Sequence, residues 1–198
     1  MKTVELRKYY KILSELNNSL THYCLVWSQF EIDYATDLEE KSEVLTKDYF
    51  KKNPHKRMHN IKLGALEMEH KKTNNTLIKG IFLLAYTYFE CYLKEIISFA
   101  QKIDDSILSL ENKSINFKND STLIDKVLNR IEVDKNGIEE VLLETLDYLR
   151  LKRNRLIHSN VENVSNSLNE LIKNKGNKLN DYWNNTLQIG RASCRERV

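Results

Sequence analysis

The chain has 198 residues, 41% of them hydrophobic, and it contains one proline and five glycines. This composition excludes a disordered chain, and the scarcity of helix breakers argues against a turn-rich β fold. The formal net charge of +3 comes mostly from the last nine residues, because 28 basic and 27 acidic residues remain without them. Overall charge therefore gives no reason to expect tight nucleic-acid binding, and any RNA contact must come from a local patch.

The N-terminal region is predicted to be helical. Apolar residues recur at helical spacing over residues 4–30, and a second helix is expected over about 37–51. Pro54 marks a break, so we place the end of an N-terminal helical segment at residue 60. The surrounding loop carries a basic cluster, formed by Lys51, Lys52, Lys56 and Arg57. This cluster is either a solvated loop or a contact for the RNA backbone.

The rest of the chain predicts a helical bundle over residues 61–188. Its first helix runs to about residue 103 and is apolar almost all round at its centre, which is typical of a helix packed on several sides. A loop, a short amphipathic helix capped by Ser121 or Thr122, and a turn follow. A helix that ends near His158 comes next, with one or two short closing helices after it. We predict an all-α fold, an antiparallel bundle with extra N-terminal helices.

The final segment, residues 189–198, differs in composition from everything before it. It contains three arginines and Cys194 after an Asn-rich stretch, and we interpret it as non-native sequence.

Several features predict a cytoplasmic protein. Cys24, Cys91 and Cys194 are scattered without a CxxC pair, and the N-terminus lacks the apolar core of a signal peptide. The most apolar stretch has nine uncharged residues before Glu90, which is too few to span a bilayer. We expect no membrane partner.

The stretch "DYLRLKRNRLIHSN", residues 147–160, places an arginine among apolar residues. On a regular helix, four apolar residues lie within about 40° of Arg153, namely Leu142, Leu146, Leu149 and Ile157. Arg153 is thus predicted at the centre of an apolar stripe. Because a guanidinium stays charged, burial requires an internal acid, a cleft or an interface.

The same stretch carries a set of side chains suited to phosphate chemistry. Asn154 and His158 are four residues apart and share a face, with Arg150 on that side as well. The histidine can move a proton, the arginine can hold a phosphodiester, and the amide can orient either group without a metal or other cofactor. Arg153 and His158 lie about 140° apart on a regular helix. They can serve one phosphate if the helix end is irregular, the arginine swings round, or a second protomer completes the site.

The segment "RNRLIH" resembles the R-N-x-x-x-H motif of HEPN domains, the all-α domains of many prokaryotic ribonucleases in toxin–antitoxin and phage-defence systems. Glu90 and Lys94 in "FECYLKE" are similar to an E-x-x-x-K feature of some of these nucleases. The resemblance covers roughly residues 70–180. It implies metal-independent RNA cleavage by the ribose 2′-OH, a homodimer, and catalytic roles for Arg153, Asn154 and His158.

Other interpretations remain open. Glu90 and Lys94 can form an i,i+4 ion pair, or Glu90 can be the partner of Arg153. The leading hypothesis is an endoribonuclease that acts as a toxin or an anti-phage effector. The alternatives are a non-catalytic HEPN-like module that binds or regulates an antitoxin or a neighbouring defence protein, and a plain helical scaffold.

Overall fold

The computed structural model describes residues 4–55, 60–112, 122–158 and 162–184, and for 162–165 it describes the backbone only. Within these ranges the chain is helical and contains no β-strand, which confirms the predicted all-α fold. The helices are α1 Val4–Glu40, α2 Thr46–Tyr49, α3 Leu66–Ile103, α4 Leu123–Arg130, α5 Glu140–Ile157 and α6 Glu162–Tyr182. Lys56, Arg57 and the segment 189–198 lie outside the described residues.

The chain forms two compact units, residues 10–85 and residues 1–9 with 86–198. The divisions fall inside α1 and α3. α1 is longer than the helix predicted over residues 4–30, because it contains no proline or glycine. α3 ends at the predicted position and begins five residues after the predicted start. The expected second helix over 37–51 is reduced to α2, since α1 continues to Glu40.

In the unit of residues 10–85, α1 and the first part of α3 meet through aromatic rings. The imidazole of His70 stacks on the indole of Trp27, with ring centroids 3.6 Å apart and planes at 2°. The hydroxyl of Tyr23 lies 2.9 Å from Nδ1 of His70. Burial lowers the pKa of His70, which suits a neutral ring that takes part in packing.

In the other unit, α5 and α6 pack as an antiparallel hairpin around the main core. This core is formed by Val141, Tyr148, Leu151, Leu168 and Leu179. Leu179 is completely buried. A single helix α6 replaces the one or two short closing helices that the sequence predicted.

A second core joins α4 to the last part of α3, through Leu93, Ile97 and Val127. The predicted cap of α4 is confirmed at Thr122, whose hydroxyl accepts from the backbone N–H of Asp125 at 3.2 Å. The Asp125 carboxylate in turn accepts from the Thr122 N–H at 2.8 Å, a reciprocal capping box.

The centre of α3 is less completely buried than its apolar sequence predicted. Its fully buried residues are Tyr86, Leu93 and Ile97, whereas Leu84, Tyr88 and Phe99 are exposed, as is Ile103 at the helix end. α4 packs on Leu93 and Ile97, Tyr9 of α1 stacks on Tyr92, and Arg153 of α5 approaches Glu90. The helix therefore has neighbours on more than one side. No helix in the described ranges has both the length and the apolar content needed to cross a bilayer.

The α5–α6 hairpin is closed by an ion-pair network with a predictable acid response. Hydrogen bonds from Lys175 and Lys178 hold the pKa of Glu144 below its ordinary value of 4.5; both nitrogens lie near the carboxylate, at 2.8 and 2.9 Å. The unfolded chain therefore binds the proton more readily than the folded chain. The stabilisation is complete above pH 4.5 and is lost as pH falls through the lower folded pKa.

We expect Glu144→Gln to flatten the fall in unfolding free energy below pH 4.5. Urea unfolding at a series of pH values measures this slope, with the exposed Glu95→Gln as the control for the change in net charge. If the unfolding free energy of Glu144→Gln falls as steeply below pH 4.5 as that of the wild type, this expectation is contradicted.

Candidate functional site

The end of α5 carries the residues of the R-N-x-x-x-H motif. The helix ends at Ile157, and His158 leaves helical geometry with φ −114° and ψ 50°. Its backbone N–H still donates to the carbonyl of Asn154 at 2.8 Å. The predicted helix end at the histidine is confirmed. The backbone at His158 is also irregular, which is one of the three conditions under which Arg153 and His158 could serve one phosphate.

Within the part of the chain that the structure describes, Arg153 has two polar partners. Its Nη1 donates to Oδ1 of Asn154 at 3.0 Å. Its Nη2 lies 3.7 Å from Oε2 of Glu90 on α3, beyond the roughly 2.7–3.2 Å of a hydrogen bond. The two charged side chains are 27% and 31% exposed. Of the three ways to accommodate the arginine, the structure shows an internal acid, held loosely and in partial contact with solvent.

Arg153 lies on the predicted apolar stripe of α5, but this stripe is not the face that the helix buries. The residues of α5 that are fully buried are Val141, Thr145, Tyr148 and Leu151, between about 80° and 160° around the helix from Arg153. The predicted stripe is only half-buried, and Ile157 is 46% exposed. The reason is that α5 packs mainly on α6, whereas Arg153 points from another face toward Glu90.

The supporting residues proposed from the sequence have separate roles. Glu90 pairs with Arg153, while Lys94 is exposed and makes no ion pair with Glu90 within the described ranges. Arg150 donates to Oδ1 of Asp147 from Nε at 2.9 Å and from Nη2 at 2.6 Å. Arg150 is thus oriented by its own helix.

Tyr86, a buried residue of α3, lies close enough to the charged residues of the site to feel their charges. Burial raises the pKa of Tyr86, and the charge of Glu90 raises it further, against opposing effects of Arg150 and Arg153. The phenol therefore stays protonated near the arginines. Its i,i+4 spacing from Glu90 places both residues on one face of α3.

The imidazole of His158 stands apart from the other motif residues. It is exposed, and it makes no hydrogen bond or ion pair with any part of the chain that the structure describes. The single chain thus brings together Arg153, Asn154 and Glu90 but not the ring of His158. Among the described residues, no group of three or more His, Cys, Asp or Glu side chains is placed to hold a metal ion.

Comparisons of the chain with protein-family models, with curated proteins and with solved structures gave no match.

Proposed function

We propose that the chain is a HEPN-type, metal-independent endoribonuclease that works as a homodimer, in the role of a toxin or an anti-phage effector. The observation that carries the proposal is the state of Arg153. Its guanidinium is oriented by Asn154, is partly open to solvent, and faces a carboxylate 3.7 Å away. The histidine that the motif requires follows five residues later, where α5 ends.

Arg153 is suited to bind a phosphodiester. A guanidinium has five N–H donors in a planar fork, and the described contacts of Arg153 are one hydrogen bond to Asn154 and the long ion pair to Glu90. Donors therefore remain for the two non-bridging oxygens of a phosphate. As the 2′-oxygen attacks phosphorus, these oxygens gain negative charge, which a fixed cation stabilises.

His158 is suited to transfer the protons. The 2′-hydroxyl loses a proton as its oxygen bonds to phosphorus, and the 5′-oxygen gains one as its bond to phosphorus breaks. The products are a 2′,3′-cyclic phosphate and a 5′-hydroxyl. An exposed imidazole can serve as the base or the acid in these steps.

The homodimer supplies what one protomer lacks. Because the imidazole of His158 makes no contact with Arg153 within the described chain, the histidine of one copy can complete the arginine site of the other. The exposed side chain of Ile157, next to His158, provides apolar surface for such an approach.

The same separation favours a second candidate function. A non-catalytic HEPN-like module would bind an antitoxin or a neighbouring defence protein through this surface, and it would need no alignment of His158 with Arg153. It shares the fold and dimer of the first proposal and differs in cleaving no RNA.

Cleavage of a labelled single-stranded RNA in excess chelator tests the enzyme proposal. We expect chelator-resistant cleavage that leaves 2′,3′-cyclic phosphate and 5′-hydroxyl ends, identified by mass spectrometry. The matched control is the same RNA with 2′-O-methyl groups, which removes the nucleophile and should abolish cleavage. Strict dependence on added Mg²⁺, cleavage of the methylated RNA, or no cleavage at all would each overturn the proposal, and the last would favour the binding module.

A further inference from the structure

An open groove of about 730 Å³ runs between α5 and α6 beside the motif. This volume lies within the roughly 300–1,000 Å³ range of small-molecule pockets. Three leucines provide its apolar surface, namely Leu143, Leu151 and Leu171. Polar side chains rise from both helices, with Asn154 on α5 and Glu170 and Asn174 on α6. The groove thus combines apolar surface with side chains that can form hydrogen bonds.

The charges in the groove disfavour an anion. Its described lining includes the cations Arg150 and Lys175 and three carboxylates, those of Glu144, Asp147 and Glu170. Asp147 already accepts two hydrogen bonds from Arg150, and Glu144 lies 2.8 Å from the nitrogen of Lys175. A phosphate here would meet neutralised cations and an excess of negative charge. An uncharged group that donates hydrogen bonds suits the groove better.

Asn154 connects this groove to the phosphate site. Its side chain lines the groove, and its Oδ1 accepts from Nη1 of Arg153 at 3.0 Å. A ligand in the groove would therefore meet the residue that orients Arg153. A nucleotide of RNA carries both parts, a charged phosphate and an uncharged, flat base, joined by one ribose.

We infer that the groove is a subsite for a nucleobase next to the cleaved phosphate, and that it prefers a base with an exocyclic amino group, adenine above all. The leucines would cover the face of the base. An asparagine amide can pair with N6 and N7 of adenine, and a carboxylate accepts from an amino group, whereas uracil has no amino group to offer. This inference rests on the proposed ribonuclease function, whose phosphate site it extends.

Binding of uncleavable RNA tests the subsite separately from catalysis. The probes are two fluorescent 2′-O-methyl tetranucleotides, one of adenosine and one of uridine, and anisotropy gives the Kd of the full chain for each. We expect the adenosine probe to bind about tenfold more tightly. Asn174→Ala and Glu170→Gln should bring the ratio toward one, while Asn177→Ala, on α6 outside the groove, should leave it unchanged. Thermal unfolding verifies that all three variants are folded.

The outcomes separate the two proposals. Equal binding of both probes, or an adenosine preference that survives both groove variants, overturns the subsite. If Leu171→Arg converts a dimer into a monomer and leaves the base preference intact, the groove is a protein interface and the subsite is again overturned. Base-selective binding that depends on the groove residues, without cleavage of unmodified RNA, would defeat the nuclease and leave the subsite standing. Cleavage without any base preference would defeat the subsite alone.

Discussion

Replacing His158 with alanine is expected to lower kcat for RNA cleavage by about 10²–10⁴-fold, the usual contribution of a general acid or base. RNA binding should change little, because the imidazole acts on protons. Folding should be preserved as well, since His158 is exposed and its one described hydrogen bond comes from the backbone. Single-turnover cleavage, probe anisotropy and thermal unfolding measure these three quantities.

The matched control is His22→Ala, which removes an exposed histidine from α1 and should leave cleavage at the wild-type rate. A His158→Ala variant that cleaves RNA as fast as the wild type would contradict the catalytic role of this residue. Loss of activity together with a lowered unfolding temperature would instead identify a structural role.

Replacing Arg153 with alanine is expected to reduce kcat by about 10²–10³-fold through loss of charge stabilisation in the transition state. Substrate binding should weaken too, because Glu90 then places an uncompensated negative charge where the phosphate must lie. Arg153→Lys should recover part of the binding but little of the rate, since an ammonium lacks the planar fork of a guanidinium. Cleavage rates and Kd values for the three proteins measure this difference.

Arg155→Ala is the control, because it removes the same charge from the same helix two residues away. If Arg155→Ala and Arg153→Ala lose equal activity, the arginine acts through overall charge and its specific role is refuted. Mixing the inactive Arg153→Ala and His158→Ala proteins adds a sharper comparison. A heterodimer contains one intact site if the arginine and histidine come from different protomers, and none if each protomer has its own site.

The helices were predictable because their signals are local. Thr122 followed three residues later by Asp125 predicts the start of α4, and the sequence around His158 predicts the end of α5. The face that each helix buries was less predictable. Leu142, Leu146 and Leu149 share a stripe with Arg153, yet α6 packs on the face of Tyr148 and Leu151, and a helical period does not reveal where the partner helix lies.

The candidate site likewise contains residues that the sequence could reveal and residues that only the packing of helices could reveal. Arg153, Asn154 and His158 are close in sequence and form a motif, so they could be found without a structure. Asn174 and Glu170 reach the site only through the α5–α6 hairpin, and their sequence carries no chemical signature. The sequence likewise left open whether Glu90 pairs with Lys94 or with Arg153. The contact between α3 and α5 shows that it pairs with Arg153.

The carboxylate of Glu90 also affects how the protein would respond to ionic strength. With Arg153 it forms a pair without net charge, so that a phosphate bound there would be neutralised less completely than by an unpaired arginine. A single-strand phosphate contact usually contributes about 0.7 to the slope of log affinity against log salt. The contact at Arg153 should contribute less to this slope, because fewer of the cations condensed on the RNA are released. The affinity of this site for RNA should therefore fall less steeply as the salt concentration rises.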